Sequence, residues 1–181
     1  MKMDNAKLNS KGLTIWFTGL SGAGKSTLSK MLYQELLKRG LKTELLDSDI
    51  IRNHLGGKLG FSKEERDINV RHIGFICKLL SRNGIIAVAA AISPYRNTRR
   101  EIRKKIGSFI EVYVKCPIEV LISRKSNFYK KALNGEIKQV AGIDHPYEEP
   151  LEPEITVETH KETPQESLKK ITRALEDLNM I

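Results

Sequence analysis

Leu13-Thr14-Ile15-Trp16-Phe17-Thr18-Gly19-Leu20-Ser21-Gly22-Ala23-Gly24-Lys25-Ser26 joins a short apolar run to a glycine-rich turn. Leu13 to Thr18 reads as a strand buried on both faces. Beyond the turn, Leu28, Met31, Leu32 and Leu36 recur at helical spacing from Lys25 to Arg39, and Gly40 is a natural C-terminal stop. Gly19 to Ser26 matches G-x-x-x-x-G-K-[ST] in the strand–loop–helix setting that gives this pattern a mechanism. Glycines let successive backbone N–H groups converge on one anion at a helix N-terminus, where the helix dipole favours negative charge. Lys25 is then placed to reach the β/γ phosphates of a nucleotide, and the Ser26 hydroxyl to ligate magnesium.

The rest of the chain alternates in the same way. Thr43 to Asp47 predicts a second strand, and Ser62-Lys63-Glu64-Glu65 is a capping box opening a helix with Ile73, Ile76, Cys77 and Leu80 on one face, ending near Gly84. Ile85 to Ile92 predicts a third strand, Asn97 to Ile106 a charged helix, and Phe109 to Val114 a fourth strand. Pro117 suits the first position of a helix through Arg124. Asn134 to Pro153 holds three of the six prolines and reads as an ordered loop over the active face, because Ile155 to Glu158 looks like one more strand. Thr163-Pro164-Gln165-Glu166 is a second capping box, before a helix bearing Leu168, Ile171, Leu175 and Leu178. Strands alternating with helices predict an α/β fold, a three-layer αβα P-loop NTPase with a parallel sheet of about five strands. We expect a flexible N-terminus over 1–11 and one domain over 12–181, with a lid and acceptor loop at about 124–154.

At 181 residues, with 40% hydrophobic and 29% charged residues, the composition is globular. No apolar run approaches the roughly 20 residues of a membrane span, and the start leads into no secretory h-region. Cys77 and Cys116 alone make neither a disulfide framework nor a zinc site, so reducing cytoplasm is the expected compartment. The net charge is +9, and because Asp144 to Glu166 carries eight acids and one base, the remainder carries +16. That balance suits an anionic ligand, or equally a solvated lysine-rich surface. It leaves a nucleotide-gated RNA- or protein-binding module as the reading from another class.

The strings D-x-x-G and N-K-x-D of GTPases and L-S-G-G-Q of transporter ATPases do not occur, which leaves a small phosphotransferase. Asp47 and Asp49 end the second strand, where ligands bind in open α/β sheets. Carboxylates at i and i+2 on a turn can converge, one on magnesium and the other on the proton of an attacking alcohol; the plainer reading is a polar turn. Arg52, and Arg66 and Arg71 flanking Asn69, are either solvated or fork onto oxyanions. Phe61 is a hydrophobic staple for its helix or a base-stacking platform. His54 and His72 have no ligand-spaced partners, and Cys77 reads as core.

The ordered series GLSGAGKS (19–26), LDSDIIR (46–52), LGFSKEERDINVRHIG (59–74), AISPYR (91–96), YKKALNGEIK (129–138) and GIDHPYEEP (142–150) resembles the adenylylsulfate kinase family from about Gly12 to Ile155. That resemblance implies transfer of the γ-phosphoryl of ATP to the 3′-hydroxyl of adenylyl sulfate (APS), giving PAPS, by a cytoplasmic enzyme that is commonly a homodimer, with neither membrane nor nucleic acid as partner. It implies that Gly19, Leu20, Ser21, Gly22, Ala23, Gly24, Lys25, Ser26 and Thr27 bind ATP, that Ser26 and Asp47 hold Mg²⁺, and that Asp49 attends the acceptor hydroxyl. Arg52, Arg66, Asn69, Ile92 and Ser93 match acceptor-binding positions, and Phe61 one face of the clamp on the acceptor's adenine. Ser93 also matches a serine labelled a phosphoenzyme intermediate, although in-line transfer needs no covalent step.

Several positions depart from the family. Its D-G-D reads Asp47-Ser48-Asp49, followed by Ile50 in place of Asn, and its F-I-S reads Ala91-Ile92-Ser93. The lid motif R-D-x-K-G-L-Y is Arg124-Lys125-Ser126-Asn127-Phe128-Tyr129, one residue shorter, with Lys125 in place of the usual lysine and Lys130 or Lys131 as further lid cations. G-F-T-G-I-D becomes Gln139-Val140-Ala141-Gly142-Ile143-Asp144, which puts Val140 at the second clamping aromatic. Losing that stacking face would cost about 1–3 kcal/mol. The departures leave open a same-fold kinase of another modified nucleotide, such as a pyrimidine nucleotide with a small anionic group.

Overall fold

The computed structural model describes residues 12–55, 57 and 59–181; the expected flexible N-terminus lies outside them. Five strands form one parallel sheet: β1 (Leu13–Thr18), β2 (Thr43–Asp47), β3 (Ile86–Ala90), β4 (Phe109–Lys115) and β5 (Ile155–Glu158), in the order β2-β3-β1-β4-β5. β1 is central and buried at every position, which is what its unbroken apolar run requires. Its side chains alternate between the two faces. Leu13, Ile15 and Phe17 join Leu28, Leu32 and Leu36 of α1 (Lys25–Lys38) and Ile171 and Leu175 of α7 (Pro164–Asp177) in one core. Trp16 joins Val70, Ile73 and Cys77 of α3 (Lys63–Arg82) and Ile102 of α4 (Arg96–Ile106) in the other. The result is the three-layer αβα architecture.

Both capping boxes form. Ser62 Oγ accepts from Glu65 N while Glu65 accepts from Ser62 N, and Thr163 and Glu166 repeat the pair at α7. Two helices were not foreseen. α2 (Ser48–Leu55) stands where a turn was expected; Asp47 Oδ1 accepts from Asp49 N at 2.9 Å, so the last residue of β2 caps it. α6 (Ser126–Leu133) follows α5 (Ile118–Arg124) after one residue and lies in the segment expected as a lid. Pro117 caps α5 rather than opening it. β3 is shorter than the apolar run, because at Ile92 the chain turns into the site: Thr18 Oγ1 donates to Ile92 O at 2.8 Å, and Ser93 takes φ +42°.

Glu111 is an acid inside the buried strand β4, and Arg99 of α4 neutralises it at 2.7 Å. The other nitrogens of Arg99 donate to Ser93 O (2.5 Å) and Glu148 O (2.7 Å), and Arg103 reaches Glu154 at 2.5 Å. This network fastens the loop before β5 over the carboxyl end of the sheet.

Candidate active site

The site sits at the carboxyl ends of β1, β2 and β3, where the sheet order reverses. After β1 the backbone folds back tightly: a Cβ on Gly19 would lie 2.5 Å from Val114 O. Gly24 caps α1 at φ +104° without a side-chain partner, so the first-turn N–H groups remain available to an anion. Ser21, Gly22, Lys25 and Ser26 line the cavity, while Leu20 and Ala23 hold the loop's shape, Ala23 N donating to Leu20 O at 3.2 Å. Thr27 is exposed in the first turn of α1.

Lys25 is buried, with Nζ donating to Leu20 O at 2.8 Å. Burial, together with the neighbouring Lys125 charge, lowers its pKa to about 8, against the pull of Asp49 and Asp47. Lys125 lies between α5 and α6 with its stem over Gly22 and Nζ 3.4 Å from Ser21 Oγ. The segment expected as a lid is tied to the loop at two further points that the sequence did not reveal. Tyr129 Oη donates to Ser21 O at 2.8 Å, and Arg124 bonds Thr159, whose Oγ1 donates to Ala23 O at 2.8 Å. The buried Tyr129 position was visible as an aromatic in the lid motif; Thr159, just past β5, carried no local signal.

Ser26 Oγ donates to Asp47 Oδ2 at 3.4 Å, placing a hydroxyl and a carboxylate together beside Lys25. Among the described residues no three His, Cys, Asp or Glu cluster as a metal cage. An alcohol and one carboxylate fit magnesium, which takes its remaining ligands from phosphate and water.

The opposite wall comes from α2, α3 and the loop between them. Asp49, Arg52, Phe61, Arg66 and Asn69 all line the same cavity. Arg52 bonds Leu59 O and Gly60 O, and Arg66 donates to Phe61 O at 2.9 Å and to Gln139 O at 2.5 Å. Partial burial lowers the pKa of both arginines. Phe61 is 49% exposed, with the Arg52 and Arg66 guanidinium carbons 4.8 and 5.2 Å from its ring centre. A staple would need an apolar partner four positions into α3, and that position is Arg66, so Phe61 presents its ring to the cavity instead. Asn69 is fully buried and donates to Ser48 Oγ at 3.0 Å. Arg71 turns away and pairs with Glu101 at 3.0 Å.

The remaining expected site residues divide between the cavity wall and its surroundings. Ile92 and Ser93 line the cavity, but Ser93 is 3% exposed and its Oγ bonds Thr18 Oγ1 and Trp16 Nε1, each at 3.0 Å. Val140 is 5% exposed and packs in the main core instead of on the cavity wall, so it is not a shortened clamp. Gln139, at φ +61°, does not line the cavity but accepts from Arg66 through its carbonyl, and Asp144 accepts from the backbone N–H groups of Gln139 and Val140. Lys130 and Lys131 are exposed in the last turn of α6, away from the cavity lining.

The family model described as adenylylsulphate kinase matches residues 11–158. An adenylyl-sulfate kinase of Rippkaea orientalis is 51% identical over 175 residues, 96% of this chain and 97% of the relative. The Mycobacterium tuberculosis APS kinase CysC, solved with AMPPNP and APS, is 34% identical with a TM-score of 0.86, covering 92% of this chain and 98% of that one. A hexameric APS kinase from Thiobacillus denitrificans is 37% identical with a TM-score of 0.74, over 95% of this chain and 30% of that one.

Proposed function

The chain belongs to the adenylylsulphate kinase family, and we infer that it transfers the γ-phosphoryl of ATP to the 3′-hydroxyl of APS, giving PAPS. One observation carries the reading: the phosphate-binding loop with Lys25 shares a cavity with Asp49, Arg52, Phe61, Arg66 and Asn69 from the facing helices. A donor and an acceptor nucleotide can therefore meet in line, and catalysis is positioning plus charge stabilisation.

In this reading Gly19 to Thr27 cradle the triphosphate, Lys25 stabilises charge on the transferred group, and Lys125 adds a second cation from the lid. Ser26 and Asp47 would hold Mg²⁺, which supplies further positive charge at the phosphate oxygens. Asp49 orients the acceptor hydroxyl and takes its proton. Arg52 and Arg66 serve the phosphosulfate, and Phe61 stacks on the adenine. The engaged Ser93 hydroxyl favours direct transfer over a phosphoserine step. The pyrimidine alternative rested on room at Val140, and the core position of that side chain removes its support. Residues 12–181 act as one kinase domain, with 124–154 as lid and acceptor loop.

No helix among the described residues is long and apolar enough to cross a membrane, and both cysteines are free and buried, which suits a cytoplasmic setting. The family resemblance supports a homodimer, measurable by light scattering.

The test is ADP release with ATP–Mg²⁺ and APS as sole acceptor, with the product mass determined. Appearance of PAPS at micromolar APS is the expected result; ATP binding with APS untouched would overturn the assignment.

A further inference from the structure

The carbonyls of the phosphate-binding loop are held by side chains. Leu20 O accepts from Lys25 Nζ, Ser21 O from Tyr129 Oη and Ala23 O from Thr159 Oγ1, each at 2.8 Å. The last two donors come from 108 and 136 residues away, on α6 and just past β5. The direction of each bond is fixed by chemistry. A phenol meets a carbonyl only by donating to it. Burial raises the Tyr129 phenol to about 12, so it keeps its proton. Thr159 Oγ1 accepts from Arg124 Nη1 at 3.1 Å. Arginine has no acceptor, so the single hydroxyl hydrogen of Thr159 goes to Ala23 O.

The peptides of the loop are trans. In a planar trans peptide the C=O of one residue and the N–H of the next point opposite ways. Tyr129 is 0% exposed and belongs to the main core, whereas Gly22 lines the cavity. Holding Ser21 O against Tyr129 therefore aims Gly22 N–H away from the core and towards the cavity. Holding Ala23 O against Thr159 fixes the direction of Gly24 N–H, at the start of α1, in the same way. Among the described residues neither N–H has a partner within the protein. Gly22, at φ +79° and without a Cβ, does nothing itself to resist a turning over of the peptide before it. We propose that Tyr129 and Thr159 are positioning residues for the donor phosphates, holding the Ser21 and Ala23 carbonyls outward so that the Gly22 and Gly24 N–H groups meet the phosphate oxygens. The inference rests on the ATP half of the kinase reading above.

The test compares wild type, Tyr129→Phe, Thr159→Val and Thr159→Ser. Affinity for ATP–Mg²⁺ is measured by calorimetry without acceptor, and KM for APS by steady-state kinetics. Tyr129→Phe and Thr159→Val each remove one hydroxyl and nearly no volume. Each should weaken ATP about threefold to tenfold, the usual worth of one hydrogen bond, with KM for APS within about twofold of wild type. Thr159→Ser keeps the hydroxyl and should restore wild-type affinity. Inorganic triphosphate, as an inhibitor competing with ATP, should lose potency by the same factor as ATP in both hydroxyl-free variants. Unchanged ATP affinity in Tyr129→Phe and Thr159→Val would overturn the proposal. So would weakened ATP with triphosphate inhibition intact, which would put the effect at the nucleoside. If Tyr129→Phe does not fold, the Thr159→Val and Thr159→Ser pair decides, since Thr159 lies at the edge of the loop rather than in the core. A wild type that binds ATP but leaves APS untouched would overturn the kinase reading alone, because the ATP comparison needs no acceptor.

Discussion

Lys25 is held between opposing influences. Burial and Lys125 press it towards neutrality, and Asp47 and Asp49 resist, leaving its pKa at about 8. It carries its charge below that pH and loses it above, so kcat/KM for ATP, which reports free-enzyme ionisations, should fall as pH rises through about 8. Lys125→Ala removes a like charge and should move that limb to higher pH; a pH–rate profile of both enzymes checks it. In the proposed reaction Asp49 has a separate task. Asp49→Ala should lower kcat at least about 100-fold, the usual scale for a lost general base, while ATP binding by calorimetry stays near wild type. Near-normal kcat in that variant would remove Asp49 from its role. Single residues were legible where chemistry demands a type at a spacing, as at Lys25 and Ser26. Val140 misled because a motif alignment gives a position, and the side chain there points into the core.

Elements follow local rules more closely than side chains do. β1 and β2 have the bounds their apolar runs predict, and both capping boxes form. α2 was legible in principle, since Asp47 is a good cap, but two acids in a short polar segment read equally as a turn. α6 was obscured because α5 and α6 meet at Lys125, which breaks the helical period. The Ser62 cap does more than start α3. Its partner Glu65 also accepts from Gly60 N at 2.8 Å, so the cap sets the loop that carries Phe61. Ser62→Ala should cost about 1 kcal/mol in urea unfolding, the usual worth of an N-cap, and should raise KM for APS more than KM for ATP. Equal changes in the two KM values would separate the cap from the acceptor wall.

Across the whole molecule the acceptor side is held by a buried charge network rather than by apolar packing alone. Glu111 and Arg99 are both nearly sealed from solvent, and Arg99 also bonds Ser93 O and Glu148 O. Removing one partner of a buried pair typically costs about 3–5 kcal/mol. Glu111→Ala should therefore lower stability by about that amount in urea unfolding and, by releasing Arg99, raise KM for APS in whatever fraction stays folded. A loss under about 0.5 kcal/mol, the scale of an exposed pair, would show that the network is peripheral. The sequence by itself determined the αβα fold and the phosphate-binding loop, because periodicity, caps and a glycine turn at a helix N-terminus are short-range physics written into consecutive residues, and its ordered motifs carried the resemblance to the family. Only the tertiary structure decided which side chains face one another. It put Lys125 over Gly22, Ser48 against Asn69, Tyr129 on the loop and Val140 in the core, through contacts between residues far apart in the chain, whose meeting depends on how the sheet, its crossovers and the lid pack together.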